Sequence, residues 1–191
     1  PKIEEAIAVA SRPNVPVHAA TFSPDGMYRY TLLRRWGPGP LLVVVMLNPS
    51  VASDEKDDPT IRRCMNFAKR EKLNGIFVVN LFARISTKPT ELRKCDDPIG
   101  PENDKALGEA AAHVREGSRL LFAYGNSIAF KRLKIDATDA FVGRDKAVAD
   151  FFLSRALGAW IWCLGQTNDG FPRHPVRLAK DTMMERFAPS E

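Results

Sequence analysis

Leu41-Leu42-Val43-Val44-Val45-Met46-Leu47 is an unbroken apolar run that ends on Asn48-Pro49-Ser50. Three more runs share its character: Ile76–Leu81, Arg119–Tyr124 and Ala159–Leu164. Each is short and continuous rather than alternating, which predicts strands buried on both faces of a parallel sheet. The segments between them carry helical signals. Asp58-Pro59-Thr60 sets an acceptor at an N-cap and proline at the first helical position. Ile61, Met65, Phe67 and Ala68 follow at roughly helical spacing, and Gly75 offers a stop. A helix over Thr60–Leu73 therefore links the first two strands as a right-handed βαβ unit.

Further helices are predicted from Gly100-Pro101-Glu102-Asn103-Asp104 to Gly117, around Asp145–Leu157, and near Val176–Phe187. Upstream, prolines punctuate the first forty residues, and Tyr28–Trp36 reads as an antiparallel edge strand or hairpin. The expected fold is α/β, a three-layer α/β/α sandwich with a mainly parallel four-stranded central sheet. The chain reads as one domain over residues 1–191, with 1–40 as edge strand and loops and 41–187 as the α/β core.

The bulk properties exclude several classes. The chain has 191 residues, 45% hydrophobic and 27% charged, an ordinary globular balance. No apolar run reaches the ~18 residues that span a membrane. Pro1-Lys2-Ile3-Glu4-Glu5 lacks a secretory pattern. Cys64, Cys95 and Cys163 are sparse and odd in number, which fits a reducing compartment and no metal-ligand spacing. The expected location is cytoplasmic, with no membrane partner. A net charge of +5 permits attraction to phosphates without clustering into a patch.

Open α/β sheets bind ligands beyond the carboxyl ends of their strands. Those ends here carry Asn48-Pro49-Ser50; Asn80 with Arg84; Gly125-Asn126; and Gln166 through Arg173-His174-Pro175. Asn48 can donate and accept hydrogen bonds but is no strong base. It either holds a water or a base edge, or caps its own turn beside Pro49. His174 is the only histidine in such a loop, and can donate to a developing anion or remain a solvated loop side chain. His18 and His113 read as surface residues. Asp54, Asp57 and Asp58 match no calcium loop, and a metal-dependent phosphoesterase built on them ranks last. The chain has no Walker lysine motif, no GxGxxG and no GxSxG elbow, so no cofactor is expected.

The series Arg29-Tyr30, Met46-Leu47-Asn48-Pro49-Ser50, Asp58-Pro59-Thr60, Val79-Asn80-Leu81-Phe82-Ala83, Gly100-Pro101-Glu102-Asn103-Asp104, Gly165-Gln166-Thr167 and Pro172-Arg173-His174-Pro175 resembles the bacterial and phage family called domain of unknown function 1643. That resemblance runs from about Tyr28 to Leu178 and implies no reaction. The order of elements also resembles the uracil-DNA glycosylase superfamily. In that superfamily an Asp-Pro or Asn-Pro loop after the first strand positions the attacking water, and the last loop contains His-Pro-Ser. Here Val176 stands after His174-Pro175, and Tyr124 stands where a tryptophan is usual.

This second resemblance implies a uracil-DNA-glycosylase-like sheet with Asn48 and His174 as catalytic residues. Pro49, Ser50, Asn80, Arg84, Gly125, Asn126 and Arg173 would bind substrate: the asparagines reading base edges, the arginines holding phosphate. The expected function is a nucleobase- or nucleotide-recognising enzyme that cleaves an N-glycosidic bond. Its partner would be DNA or a nucleotide, and any duplex substrate must first be flipped out. The alternative is a non-catalytic nucleic-acid or nucleotide-binding module using the same loops. Asn48, Asn80, Gly125 and His174 are expected to converge on one cleft.

Overall fold

The computed structural model describes residues 16–50, 52, 56–125, 140–156 and 158–188. Its strands are β1 (Val17–Phe22), β2 (Arg29–Arg35), β3 (Leu42–Met46), β4 (Gly75–Asn80), β5 (Arg119–Phe122), β6 (Ile161–Cys163) and β7 (Glu185–Arg186). Its helices are α1 (Pro59–Arg70), α2 (Asn103–Ala111) and α3 (Arg144–Arg155), with 3-10 turns at Pro89–Lys94 and Pro175–Arg177.

Among the described residues the sheet has seven strands, in the order β1-β2-β4-β3-β5-β6-β7, where the sequence predicts a parallel four-stranded centre with an edge strand or hairpin. The four apolar runs form its centre, where β4, β3, β5 and β6 pair in parallel. The margins are antiparallel: β1 on β2, β2 on β4, and β7 on β6. Residues of β3 alternate between two apolar clusters, as the pleat requires. Leu42, Val44 and Met46 pack with Ile61, Cys64, Phe67 and Ala68 of α1. Val43 and Val45 pack with Leu107 and Ala110 of α2 and with Val148 and Phe152 of α3. Burial on both faces explains why the run is continuous rather than alternating.

α1 begins as the sequence predicts: Asp58 Oδ1 accepts the Ile61 amide at 2.8 Å, and Pro59 opens the helix. It ends at Arg70, not Leu73, and the left-handed residue behind it is Lys72 (φ 58°), not Gly75. Gly75 instead starts β4, where a Cβ would lie 2.6 Å from the Arg34 carbonyl. That glycine permits close strand approach rather than a helix stop. α2 also ends early, at Ala111.

The helix expected near Val176–Phe187 is absent. The segment makes the 3-10 turn and then β7. Its carbonyls are claimed from α1: Arg63 donates to Leu178 O, and Arg70 to Lys180 O and Thr182 O. The β6 edge claims the rest, with Trp162 opposite Arg186 and the Phe187 amide on Ile161 O at 2.8 Å. Tertiary partners for the backbone outweigh helical propensity here.

Two buried arginines of β2 hold the loop that follows β3. Arg29 Nη1 donates to Ala52 O at 2.5 Å. Arg34, fully buried, donates from Nε to Asp57 Oδ1 at 2.7 Å. Burial pulls the Arg29 guanidinium down to about 10. Among the described residues no helix is long and apolar enough to cross a membrane.

Candidate functional site

The connection after β3 runs toward β4, and the connection after β5 runs toward β6. Adjacent strands whose chains leave in opposite directions open a crevice at their carboxyl ends. A cavity of about 780 Å³ lies there. Asn48 and Ser50 line it from the loop after β3, Thr60 from the start of α1, and Tyr124 and Gly125 from the end of β5. Thr167, Arg173, His174 and Arg177 line it from the loop after β6, and Ser86 and Thr87 from the loop after β4.

Main-chain bonds fix these loops against one another. The Ser86 amide donates to Pro49 O at 3.0 Å, and Asn48 Nδ2 donates to Ser86 O at 2.8 Å and Pro49 O at 2.9 Å. With its amide nitrogen on those carbonyls, Asn48 keeps Oδ1 as an acceptor without a partner among the described residues. The loop after β6 is folded back by Thr167 and Gly170, and its Arg173 amide donates to Gly165 O at 2.9 Å. The Gly125 amide donates to Pro172 O at 2.9 Å, which sets the end of β5 beneath His174. Gly125 has φ +74°, and a Cβ there would lie 3.1 Å from His174 Cβ.

His174 Nδ1 accepts the Val176 amide at 3.3 Å. An imidazole that accepts at Nδ1 carries its proton on Nε2. Burial lowers its pKa from the ordinary 6.5, against the opposing pull of Asp58 and with help from Arg177. His174 is thus a neutral donor rather than a cation. Tyr124 Oη donates to Asp145 Oδ2 at 3.2 Å. Burial, with the Asp145 charge second, pushes its phenol well above the usual range, so Tyr124 offers a wall and not an acid. Arg173 spends Nε on Gln166 O at 2.9 Å. Arg173 and Arg177 make the cavity cationic, and among the described lining residues there is no carboxylate.

Of the residues expected to converge, Asn48, Gly125 and His174 share this cavity, with Ser50 and Arg173. Pro49 is buried in the turn beside it. Asn80 and Arg84 are outside its lining. Asn80 is 1% exposed, and its register partner Met46 lies in the cluster packed on α1. Its carboxamide has no partner among the described residues. Arg84 stacks on Tyr28, with Cζ 5.6 Å from the ring centre. Asn126 and Asp54 lie outside the described residues. Asp57 and Asp58 are engaged by Arg34 and by the α1 cap. Sequence reading missed Ser86, Thr87 and Arg177. The first two lie just past Arg84 in the loop after β4, and Arg177 is one 3-10 turn past His174.

The family model for proteins of unknown function DUF1643 matches residues 29–176. The chain belongs to the DUF1643 family. The match spans the loops of β3, β4, β5 and β6 that build the cavity, so this DUF1643 site is made within the family region. No curated protein and no solved structure matches the chain.

Proposed function

We propose that this DUF1643 protein recognises a nucleobase in the cavity and hydrolyses the N-glycosidic bond that carries it. The observation behind this reading is that His174, whose Nδ1 accepts the Val176 amide, lines the same cavity as Asn48, whose Oδ1 has no partner among the described residues. Water adds to the anomeric carbon as the bond to the base nitrogen breaks, and the base leaves with that electron pair. Asn48 Oδ1 accepts a hydrogen bond from the water and orients it. His174 Nε2–H donates to the oxygen on which the departing base gathers charge, a stabilisation that grows in the transition state. The proton lost by the water ends on the base. Arg173 and Arg177 hold phosphate. The resemblance of the Asn48-Pro49 and His174-Pro175 loops to uracil-DNA glycosylases agrees with this assignment.

The test is release of free base from a panel of nucleosides, nucleotides and oligonucleotides carrying modified bases, followed by chromatography. His174→Ala should cut the rate about 100- to 1,000-fold, the usual cost of one oxyanion donor. His174→Gln, which keeps a donor, should recover part of it. If no substrate releases base, or if His174→Ala cleaves as well as the parent, the glycosidase reading fails. A non-catalytic nucleotide-binding module is the second reading. It is favoured by the ties from Asn48 Nδ2 to Pro49 O and Ser86 O, which give that side chain a loop-holding role. Tight nucleotide binding without turnover would select it.

A further inference from the structure

At the opposite end of the sheet, where β5 and β6 begin, a second groove of about 460 Å³ opens between two turns. One turn carries Arg115 through Arg119, and the other carries Gly158 through Trp162. Trp160 is 54% exposed, an unusual state for the largest apolar side chain. The Arg186 guanidinium lies over one face of it, Cζ 3.7 Å from the ring centre. The Arg119 guanidinium lies 4.6 Å from the Trp162 ring while pairing with Glu71 at 3.1 Å. Arg115 and Arg186 have no ion pair among the described residues. Gly158, at φ +78°, has open space where a Cβ would stand. Glu116 is the one carboxylate among the described residues lining the groove.

We propose that this groove binds single-stranded nucleic acid. A base would stack on the open part of Trp160, and Arg115, Arg119 and Arg186 would take the phosphates. Exposed aromatic rings set among guanidinium groups meet both halves of an unpaired nucleotide: a π-face for the base and bidentate donors for the backbone. A duplex keeps its base faces stacked internally and cannot use Trp160 in this way. Charge complementarity names the occupant. Arg115 and Arg119 line the groove and Arg186 flanks it over Trp160, against Glu116 and the Glu71 that already pairs with Arg119; the positive charge left over attracts a polyanion rather than a cation. The groove shares no residue with the cavity, and this proposal stands whether or not the cavity cleaves a glycosidic bond.

The experiment is fluorescence anisotropy of short labelled oligothymidylate and oligouridylate, titrated with the full chain over a salt series. Both probes should bind at low salt, because stacking is tolerant of sequence and sugar. Trp160→Ala should weaken binding about tenfold, within the range of one lost base stack. Trp160→Phe should restore most of that loss. Arg115→Gln should reduce the log–log salt slope by roughly 0.7, one phosphate's share on a single strand. The proposal is overturned if neither probe binds at low salt, or if Trp160→Ala binds as the parent does. Thermal melts of each variant exclude unfolding as the cause.

Discussion

His174 and Gly125 act as a pair across the cavity floor. The glycine lies in the left-handed region, and a Cβ added to it would stand 3.1 Å from His174 Cβ. Gly125→Ala should cost about 1–2 kcal/mol from the backbone alone, and should also push the imidazole off its bond to the Val176 amide. Nucleotide affinity or base release should then fall further than the loss of stability explains. A variant with a lowered melting temperature but full cavity binding would show that His174 is placed without Gly125. Asn48 and His174 were legible because strand-end loops are where an α/β sheet exposes polar groups. Asn80 was not: it is the last residue of β4, and its pairing opposite Met46 decides which face its side chain joins. A single sequence gives the end of a strand more readily than the direction of its final side chain.

Among the elements, α1 follows its local signals most closely. Its cap, its proline and its buried stripe of Ile61, Cys64, Phe67 and Ala68 all agree. Asp58→Ala should therefore cost about 0.5–2 kcal/mol in urea unfolding through the lost bond to the Ile61 amide. Full stability with lost cavity binding would instead make Asp58 a ligand-contacting residue. The four central strands were legible from their continuous apolar character. β7 was not, because two charged residues carry no strand signal. What makes them a strand is the neighbouring edge of β6, far away in the chain. The same holds for Arg29 and Arg34, whose burial depends on the carbonyl and carboxylate of a loop about twenty residues later.

For the whole molecule, two half-buried histidines set the response to acid. His113 and His174 both have pKa values lowered by burial, His113 also by Arg115 and Arg35. In the unfolded chain each returns to about 6.5. Below that pH the unfolded state takes up protons first, so stability is full above about pH 6.5 and declines as pH falls below it. Melting temperatures should be level through neutral pH and drop on acidification, before the carboxylates titrate. The His113→Gln, His174→Gln double variant should flatten that decline. An unchanged melting temperature across the histidine range in the parent would show that neither ring is held neutral by the fold. The parallel sheet was legible from its runs, but its order was not. That β3 sits between β4 and β5, and so opens the cavity, is settled by long connections that no local pattern records.

The small strand β7 has a meaning beyond its two residues paired with β6. A parallel sheet that stopped at β6 would present a row of free amides and carbonyls to any passing chain. Here that row is closed by Glu185 and Arg186, both exposed, charged and too short in extent to template another strand. Sheets commonly guard their margins against edge-to-edge aggregation in this way. With Phe187 buried just beyond, the latch is anchored in the same core that the parallel strands share. The tail of the described chain thus keeps the sheet from growing into its neighbours.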